Sequence, residues 1–176
     1  MRFFRVKQER QLMHPKPISP NANQRSVWDF PRPPIIELEN RPVKIILNGI
    51  VIAETSKALK VLETSHPPVF HLPLDDIRDD ALRMVSRTSF CEFKGTASYF
   101  DVIGNDVVRT NAAWSYLSPV PQFKSIEKHV AFYAHMMDAC FVGEEKAQPQ
   151  PGNFYGGWIT SDVVGPFKGI PGSMGW

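Results

Sequence analysis

The chain has 176 residues, of which 43% are hydrophobic and 22% charged, and its formal net charge is +2. This length suits one domain with a buried core, and the small charge imbalance argues against a polybasic membrane anchor or a protein built mainly to hold nucleic acid. Two cysteines cannot form a disulfide scaffold or a four-thiolate zinc site, so we expect a reducing, cytoplasmic setting.

Residues 1–25 are predicted to form a disordered or extended leader. The first twelve residues are basic but have no apolar run behind them, so a secretory signal is not expected. They are compatible with a short amphipathic helix or with translation upstream of a start at Met13, and we expect them to be dispensable. Prolines between His14 and Asn23 exclude a sustained helix, because proline lacks the backbone N–H. No stretch of the sequence approaches the ~20 consecutive apolar residues of a membrane span.

The predicted core domain, residues 26–146, begins with an apolar arm. Its first segment, Ser26 to Ile36, carries Trp28 and Phe30 before its three prolines and Ile35 and Ile36 after them. An extended segment with this much apolar area usually lies against a core rather than in water. We therefore expect the arm to dock on the domain through Trp28.

Strand signals dominate the middle of the chain. The β-branched runs 43–47 and 50–53 flank Asn48-Gly49, which supplies the two positive-φ positions of a type I′ turn, so the sequence predicts a hairpin. Further strands are predicted at 69–72, 89–94, 97–103, 107–110 and 112–117. The stretch 74–84 is predicted to form one or two helical turns, since its acidic residues come early and Arg83 comes late. Residues 125–140 fit both a helix and short strands, and we favour a helical turn followed by strands.

Residues 147–176 form a tail rich in glycine, proline and aromatic residues. Seven of the 11 Gly lie after residue 150, and seven of the 16 Pro lie in the first 42 residues. Flexible linkers are poor in aromatic residues, whereas this tail carries Tyr155, Trp158 and Trp176. The sequence therefore predicts two irregular ends that wrap onto a β-domain.

Several linked motifs are similar to those of a known family. In chain order they are Cys91-Glu-Phe-Lys-Gly-Thr-Ala-Ser-Tyr99, Ala112-Ala-Trp-Ser-Tyr116 and Ala131-Phe-Tyr133. Through these motifs the chain resembles the domain-of-unknown-function 427 family, from about Val43 to Val142. One departure is His71, because many relatives carry an aromatic residue such as Tyr at this position.

The resemblance implies a mainly β fold, a small antiparallel β-tent-like domain of hairpins with one or two short helices. The irregular N-terminal arm and the C-terminal tail are expected to pack on it. Zinc-bearing proteins of this type use paired Cys-x-x-Cys knuckles, which the sequence lacks, so the resemblance implies no metal site. The cofactor stays unknown at this point, since the sequence has neither a zinc knuckle nor a nucleotide-binding loop.

The family also carries the label nucleotidyltransferase. Nucleotidyl transfer generally uses Asp-x-Asp or Asp-x-Glu to hold Mg²⁺ against the phosphates. Here the acidic residues form adjacent pairs instead, Asp75-Asp76 and Asp79-Asp80. There is also no Walker loop or GxGxxG motif, so the residues give this label little support.

Cys91, Lys94 and Asp101 are the candidates for catalysis. A thiolate nucleophile needs a nearby positive charge, and Lys94 is three residues from Cys91. Because odd separations in a strand place side chains on opposite faces, Lys94 would point away from Cys91 unless a bulge intervenes. We therefore expect Cys91 to be a small buried hydrophobe. The histidines do not cluster along the chain, so we expect satisfied or exposed histidines rather than metal ligands.

An aromatic set gives a stronger indication of a binding site. Trp114 and Tyr116 share one face of a predicted strand, and with Tyr99 they would floor a cleft with Lys94 or Lys168 at its rim. Such a mixture suits a planar or anionic small molecule. The competing interpretation is that these rings are simply the core. The predicted ligand-binding residues are Lys94, Tyr99, Trp114, Tyr116, Trp158 and Lys168.

Three functional classes remain open. The favoured one is a small-ligand-binding domain, and the second is an enzyme of unassigned chemistry. The third is a structural or interaction protein, with a homodimer formed through exposed strand edges. Because basic and acidic residues interleave, neither nucleic acid nor a membrane is an expected partner.

Overall fold

The computed structural model describes residues 15–176, so the predicted dispensable extension lies outside the described residues. The described chain has fifteen strands: β1 (Arg25–Ser26), β2 (Ile35–Leu38), β3 (Val43–Leu47), β4 (Ile50–Thr55), β5 (Leu59–Leu62), β6 (Val69–Pro73), β7 (Leu82–Cys91), β8 (Gly95–Gly104), β9 (Val107–Ser115), β10 (His129–Phe132), β11 (Ala139–Val142), β12 (Glu145–Lys146), β13 (Gln148–Pro149), β14 (Trp158–Ile159) and β15 (Val163–Val164). Its 3₁₀ helices are Val27–Asp29, Leu74–Asp76, Pro121–Ile126 and Ala134–Met136. Among these residues, no helix is long and apolar enough to span a membrane.

Two antiparallel sheets build the domain, which confirms the predicted mainly β class. The larger sheet has seven strands in the order β2-β5-β6-β10-β9-β8-β7, and the smaller has four in the order β12-β11-β3-β4. The hairpin of β3 and β4 is confirmed: Asn48 and Gly49 have φ values of 51° and 73°, as a type I′ turn requires.

The main hydrophobic core lies between the two sheets. Phe70 and Leu72 reach it from β6, and they meet Ile45 and Cys140 of the smaller sheet. Because side chains alternate along a strand, the side chain of His71, between Phe70 and Leu72, points to the opposite face of the larger sheet. That opposite face is where a second, aromatic cluster lies.

Two elements differ in extent from the sequence prediction. The stretch 74–84 contains one of the one or two predicted helical turns, the 3₁₀ helix Leu74–Asp76, but its last three residues belong to β7, which begins at Leu82. Pairing with β8 outweighs the helical charge pattern from Leu82 onward, because residues 82–84 and, after a register shift, residues 88–91 pair with β8. The two strands predicted at 107–110 and 112–117 are largely one strand, β9, which passes through Asn111 in the left-handed conformation with φ of 53°.

Both ends of the described chain pack on the domain, as the sequence predicts. Val27 and Phe30 of the arm are buried in a small cluster with Leu62 and Val163. The indole N–H of Trp28 donates to the carbonyl oxygen of Pro166 at 2.9 Å. Since β1 also pairs with β15, the arm is held largely by the tail.

Candidate functional site

A cavity of about 420 Å³ lies on the face of the seven-stranded sheet that is turned away from the smaller sheet. Strands β5, β6, β8 and β9 supply its floor, and the end of β7 supplies a wall. Gln150, residues 153–156 and Lys168 of the tail also line it, so the tail forms its cover. The volume falls within the range of ~300–1,000 Å³ that is typical of small-molecule sites.

Aromatic rings make up most of the floor. Tyr99 pairs across the strands with Trp114, and Tyr116 shares the face of Trp114 two residues farther on. Tyr133 packs against Trp114 with 4.6 Å between ring centroids. Burial raises the pKa of Tyr116 and of Tyr133, so both phenols remain protonated and can act as hydrogen-bond donors.

Lys94 places an ammonium group among these rings. Its side chain is nearly buried, and Nζ lies 5.7 Å from the ring centroid of Tyr116 and 5.8 Å from that of Phe123. Among the described residues, no carboxylate forms a salt bridge with it. Cation–π contacts offset only part of the cost of burying an ammonium group. Lys94 can therefore receive an anion that enters the cavity.

Cys91 and Lys94 line the same cavity, contrary to the expectation from strand alternation. Strand β7 ends at Cys91 and β8 begins at Gly95, so the three residues between them form a turn. The alternation of side chains stops where the strand stops, and Lys94 therefore turns back to the face of Cys91. Cys91 is only half-buried, whereas Cys140 is buried in the main core.

His71 is the most deeply buried polar side chain that lines the cavity. Neither of its ring nitrogens has a hydrogen-bond partner among the described residues. Burial, with the nearby charge of Lys94, lowers the pKa of His71 to about 3, so its imidazole is neutral. The expectation of satisfied or exposed histidines is wrong for His71, because alternation with Phe70 turns the imidazole out of the core toward the cavity.

The tail approaches the floor most closely at Gly156. A Cβ atom at this position would lie 2.1 Å from Cη2 of Trp114, so the close approach requires glycine. The side-chain amide of Gln150 fixes the tail from within: it accepts from the N–H of Gly157 at 3.0 Å and donates to the carbonyl oxygen of Lys168 at 2.9 Å. Nζ of Lys168 lies 5.5 Å from the ring centroid of Tyr155 at the edge of the cavity.

The structure brings most of the sequence-predicted binding residues to this cavity. Those that line it are Lys94, Tyr99, Trp114, Tyr116 and Lys168. Trp158 is placed elsewhere, because it is fully buried in the main core and stacks on Phe70 with 5.1 Å between centroids. Its indole N–H donates to the carbonyl oxygen of Phe132 at 2.9 Å, so it is part of the scaffold behind the site.

Asp101 also lies away from the cavity. Its carboxylate accepts a hydrogen bond from the guanidinium of Arg83 at 2.7 Å and another from the N–H of Asn111 at 2.9 Å. The hydrogen bond from Arg83 is the main cause that lowers the pKa of Asp101. The structure therefore does not bring Asp101 together with Cys91 and Lys94.

Some cavity residues are not among those predicted from the sequence. Arg87 and Ser89 line the wall with Cys91, and Cζ of Arg87 lies 4.5 Å from the ring centroid of Tyr99. Arg87, Ser89 and Cys91 follow one another at a spacing of two residues, and this spacing indicates that all three lie on one face of a strand. For Gln150 and His66, which also line the cavity, no local pattern gives the position.

The acidic pairs considered for nucleotidyl transfer have other contacts. Asp76 accepts a hydrogen bond from Thr55 at 2.5 Å, and Asp80 forms a salt bridge with Arg78 at 2.9 Å. None of these acids is among the residues that line the cavity. Within residues 15–176, no group of three or more His, Cys, Asp or Glu side chains is placed to hold a metal ion.

A comparison with protein families finds a match for this chain. The family described as Domain of unknown function (DUF427), with the short label NTP_transf_9, matches residues 35–143. Among curated proteins, none matches the chain. The matched region is more than half of the chain and contains both sheets apart from β12, so the chain belongs to the DUF427 family.

Proposed function

We propose that this member of the DUF427 family binds a small planar anion in the cavity between its seven-stranded sheet and its tail. The observation that carries the proposal is Lys94, a nearly buried ammonium group that faces the cavity without a salt-bridge partner among the described residues. An anion would supply the missing partner, and a planar anion would also stack on the aromatic floor.

The charges around the cavity favour an anion over a cation. Arg87, Lys94 and Lys168 line it, against the carboxylates of Glu63 and Glu92. Glu63 is already paired with Arg32 at 3.1 Å, and Glu92 is exposed to solvent. Arg87 is likewise exposed, and Nζ of Lys168 donates to the carbonyl oxygen of Trp176 at 2.9 Å. Lys94 is therefore the nearly buried positive group that is left to meet a ligand.

The floor favours a flat molecule of modest size. Aromatic pairs prefer offset or edge-to-face arrangements and gain ~0.5–1.5 kcal/mol beyond the burial of their area. Trp114 and Tyr116 present rings from one strand face, and Gly156 lies against the outer edge of the Trp114 indole, so the tail limits the space beside that ring. A thin aromatic ligand fits such a space better than a bulky aliphatic one.

Binding of planar carboxylates, nucleobases and nucleotides tests the proposal by thermal shift and by isothermal titration calorimetry. We expect Lys94→Met to weaken the binding of a carboxylate by about tenfold or more, because a hydrogen bond to a charged group contributes ~1.5–3 kcal/mol. Trp114→Ala should also weaken it, through the loss of stacking. Lys57→Met is the matched control, because it removes the same charge from an exposed position outside the cavity.

Three results would overturn the proposal. The first is a wild-type protein to which none of the planar anions binds. The second is a Lys94→Met variant that binds them as tightly as the wild type does. An equal loss in Lys57→Met would show that net charge, rather than the buried ammonium group, controls binding.

A second candidate function is catalysis by Cys91 as a nucleophile. It is favoured by one observation: the half-buried thiol of Cys91 lines the same cavity as Lys94. Alkylation with iodoacetamide under native conditions, followed by mass spectrometry, tests it. Cys140 is the internal control, because burial raises the pKa of its thiol and makes it unreactive. Rapid, stoichiometric labelling of Cys91 would support catalysis, whereas labelling as slow as that of Cys140 would exclude a reactive thiolate.

A further inference from the structure

His71 is a buried polar side chain that the described protein leaves without a partner. Neither Nδ1 nor Nε2 is hydrogen-bonded among residues 15–176, although the side chain is fully buried. Buried polar groups in native proteins are nearly always hydrogen-bonded, so an exception needs an explanation. His66, which lines the same cavity, shows the ordinary case, because its Nδ1 lies 3.0 Å from the carbonyl oxygen of Thr64.

The stability of the fold does not require an imidazole at this position. An unsatisfied buried polar group costs ~1–3 kcal/mol, and an apolar ring of the same size would avoid that cost. The neighbours of His71 along β6, Phe70 and Leu72, are apolar and fill the main core. The polar residue occurs where β6 faces the cavity, which points to a partner that enters the cavity.

His71 and Lys94 are placed to meet the same small molecule. The ring centroids of His71 and Tyr116 are 6.3 Å apart, and Nζ of Lys94 lies 5.7 Å from the ring centroid of Tyr116. A flat ligand beside Tyr116 is therefore within reach of both groups. The neutral imidazole offers one N–H donor and one nitrogen acceptor, so it can pair with a polar ring atom of either kind.

We infer that His71 hydrogen-bonds a polar ring atom of the ligand whose anionic group Lys94 binds, and that this ligand is a planar nitrogen heterocycle bearing a carboxylate. The inference rests on the proposed function and specifies its ligand class. A carbocyclic acid satisfies Lys94 and the aromatic floor but leaves His71 without a partner. A site that hydrogen-bonds a ligand discriminates against the analogue that lacks the polar atom, because its own polar group then stays unpaired.

Isothermal titration calorimetry with three probes tests this inference. Benzoate has a ring and a carboxylate, orotate adds ring N–H and C=O groups, and uracil has the polar ring without the carboxylate. We expect the wild type to bind orotate about tenfold more tightly than benzoate, as one additional hydrogen bond provides. Uracil should bind more weakly than orotate, because it cannot use Lys94.

His71→Phe replaces the imidazole by an apolar ring of similar size. We expect its affinity for orotate to fall about tenfold, to the level of benzoate, while its affinity for benzoate stays unchanged. Its melting temperature without ligand should be equal to or above that of the wild type. His129→Phe is the matched control: its Nδ1 is also buried and unpartnered among the described residues, but His129 does not line the cavity. It should leave both affinities unchanged.

Equal binding of orotate and benzoate by the wild type, or an unchanged orotate affinity in His71→Phe, would overturn the inference and leave the proposed anion site standing. Binding of neither carboxylate would overturn both. If His71→Phe does not fold, ¹⁵N NMR of the histidine rings in the wild type decides the question. Saturating orotate must shift the ring-nitrogen resonances of His71 and benzoate must not, and unchanged resonances with orotate would overturn the inference.

Discussion

The two faces of the seven-stranded sheet come from the same strands, but one face is packed into an apolar core and the other borders a cavity. Toward the smaller sheet, Phe70, Phe132 and Trp158 are fully buried in a continuous apolar core. Toward the tail, His71 and Trp114 border a cavity of about 420 Å³ instead. Since neighbouring residues of one strand point to opposite faces, one face of a sheet can stabilise the fold while the other face binds a ligand, and no additional strands or helices are needed.

The covering element explains why the second face is not filled. The smaller sheet covers the first face with aliphatic side chains such as Val43, Ile45 and Ile52, which pack against the aromatic side chains of the larger sheet. The tail covers the second face partly with backbone, because Gly156 lies directly against Trp114 and has no side chain to insert. A glycine-rich cover therefore encloses the space without filling it.

The largest expected difference between the faces is in stability. Trp158→Ala should lower the free energy of unfolding by about 3–5 kcal/mol, because it removes a fully buried indole and leaves a cavity. Trp114→Ala should lower it by clearly less, since part of the indole surface already faces empty space. Urea denaturation followed by circular dichroism measures both. Equal losses for the two tryptophans would contradict the division between a packed face and a binding face.

Acid should distinguish His71 from an apolar residue at the same position. The pKa of His71 is about 3 in the folded protein against an ordinary value of 6.5, since burial and the charges of Lys94 and His129 oppose protonation. Between these values the unfolded chain binds a proton that the folded protein lacks, so stability decreases as the pH falls from 6.5 toward 3. Above 6.5 both states are neutral and the contribution is constant.

We therefore expect the wild type to lose about 2 kcal/mol relative to His71→Phe between pH 6 and pH 4.5, since one proton corresponds to ~1.4 kcal/mol per pH unit. Urea denaturation of the two proteins at pH 7, 6, 5 and 4.5 gives the difference directly. Other acidic and basic groups are present in both proteins and largely cancel. A difference that does not vary with pH would mean that His71 is not held neutral in the folded state.

The local pattern of the sequence was sufficient to predict the aromatic floor. Trp114 and Tyr116 lie two residues apart, and the Asn-Gly turn fixes the hairpin of β3 and β4, so each needs only its own segment of chain. The turn that returns Lys94 to the cavity was not predicted, because the end of β7 is set by its pairing with β8 rather than by its own residues.

The positions of Trp158 and His71 depend on contacts between distant segments. Trp158 reaches the main core because β14 pairs with β13 and because the backbone N–H of Trp158 donates to the carbonyl oxygen of Pro68. Neither partner is visible as a spacing in the sequence. For His71 the alternation with Phe70 was visible, but whether the opposite face was solvent or a covered cavity depended on where the tail folds.

The cover should be sensitive to a single methyl group. Gly156→Ala places a Cβ against the indole of Trp114, so either the ring or the tail must move, at a cost of about 1–3 kcal/mol in the free energy of unfolding. Limited proteolysis should then cleave the tail faster than in the wild type. Phe154→Ala, in the same segment but at an exposed position, is the control and should leave the cleavage rate unchanged. An unaltered rate in Gly156→Ala would contradict the close cover.

The smallest effect on stability is expected for the two exposed phenylalanines that line the cavity. Phe90 on β7 and Phe154 in the tail are each 78% exposed, so changing either to Ser should alter the free energy of unfolding by less than about 0.5 kcal/mol. Because both rings line the cavity, each change should nevertheless weaken the binding of an aromatic acid. Calorimetric titration beside urea denaturation separates the two quantities. Trp158→Ala should show the opposite pattern, a large loss of stability at a residue that does not line the cavity. Unchanged binding in both Ser variants would contradict a role for the exposed phenylalanines and would confine the site to the buried floor around Lys94.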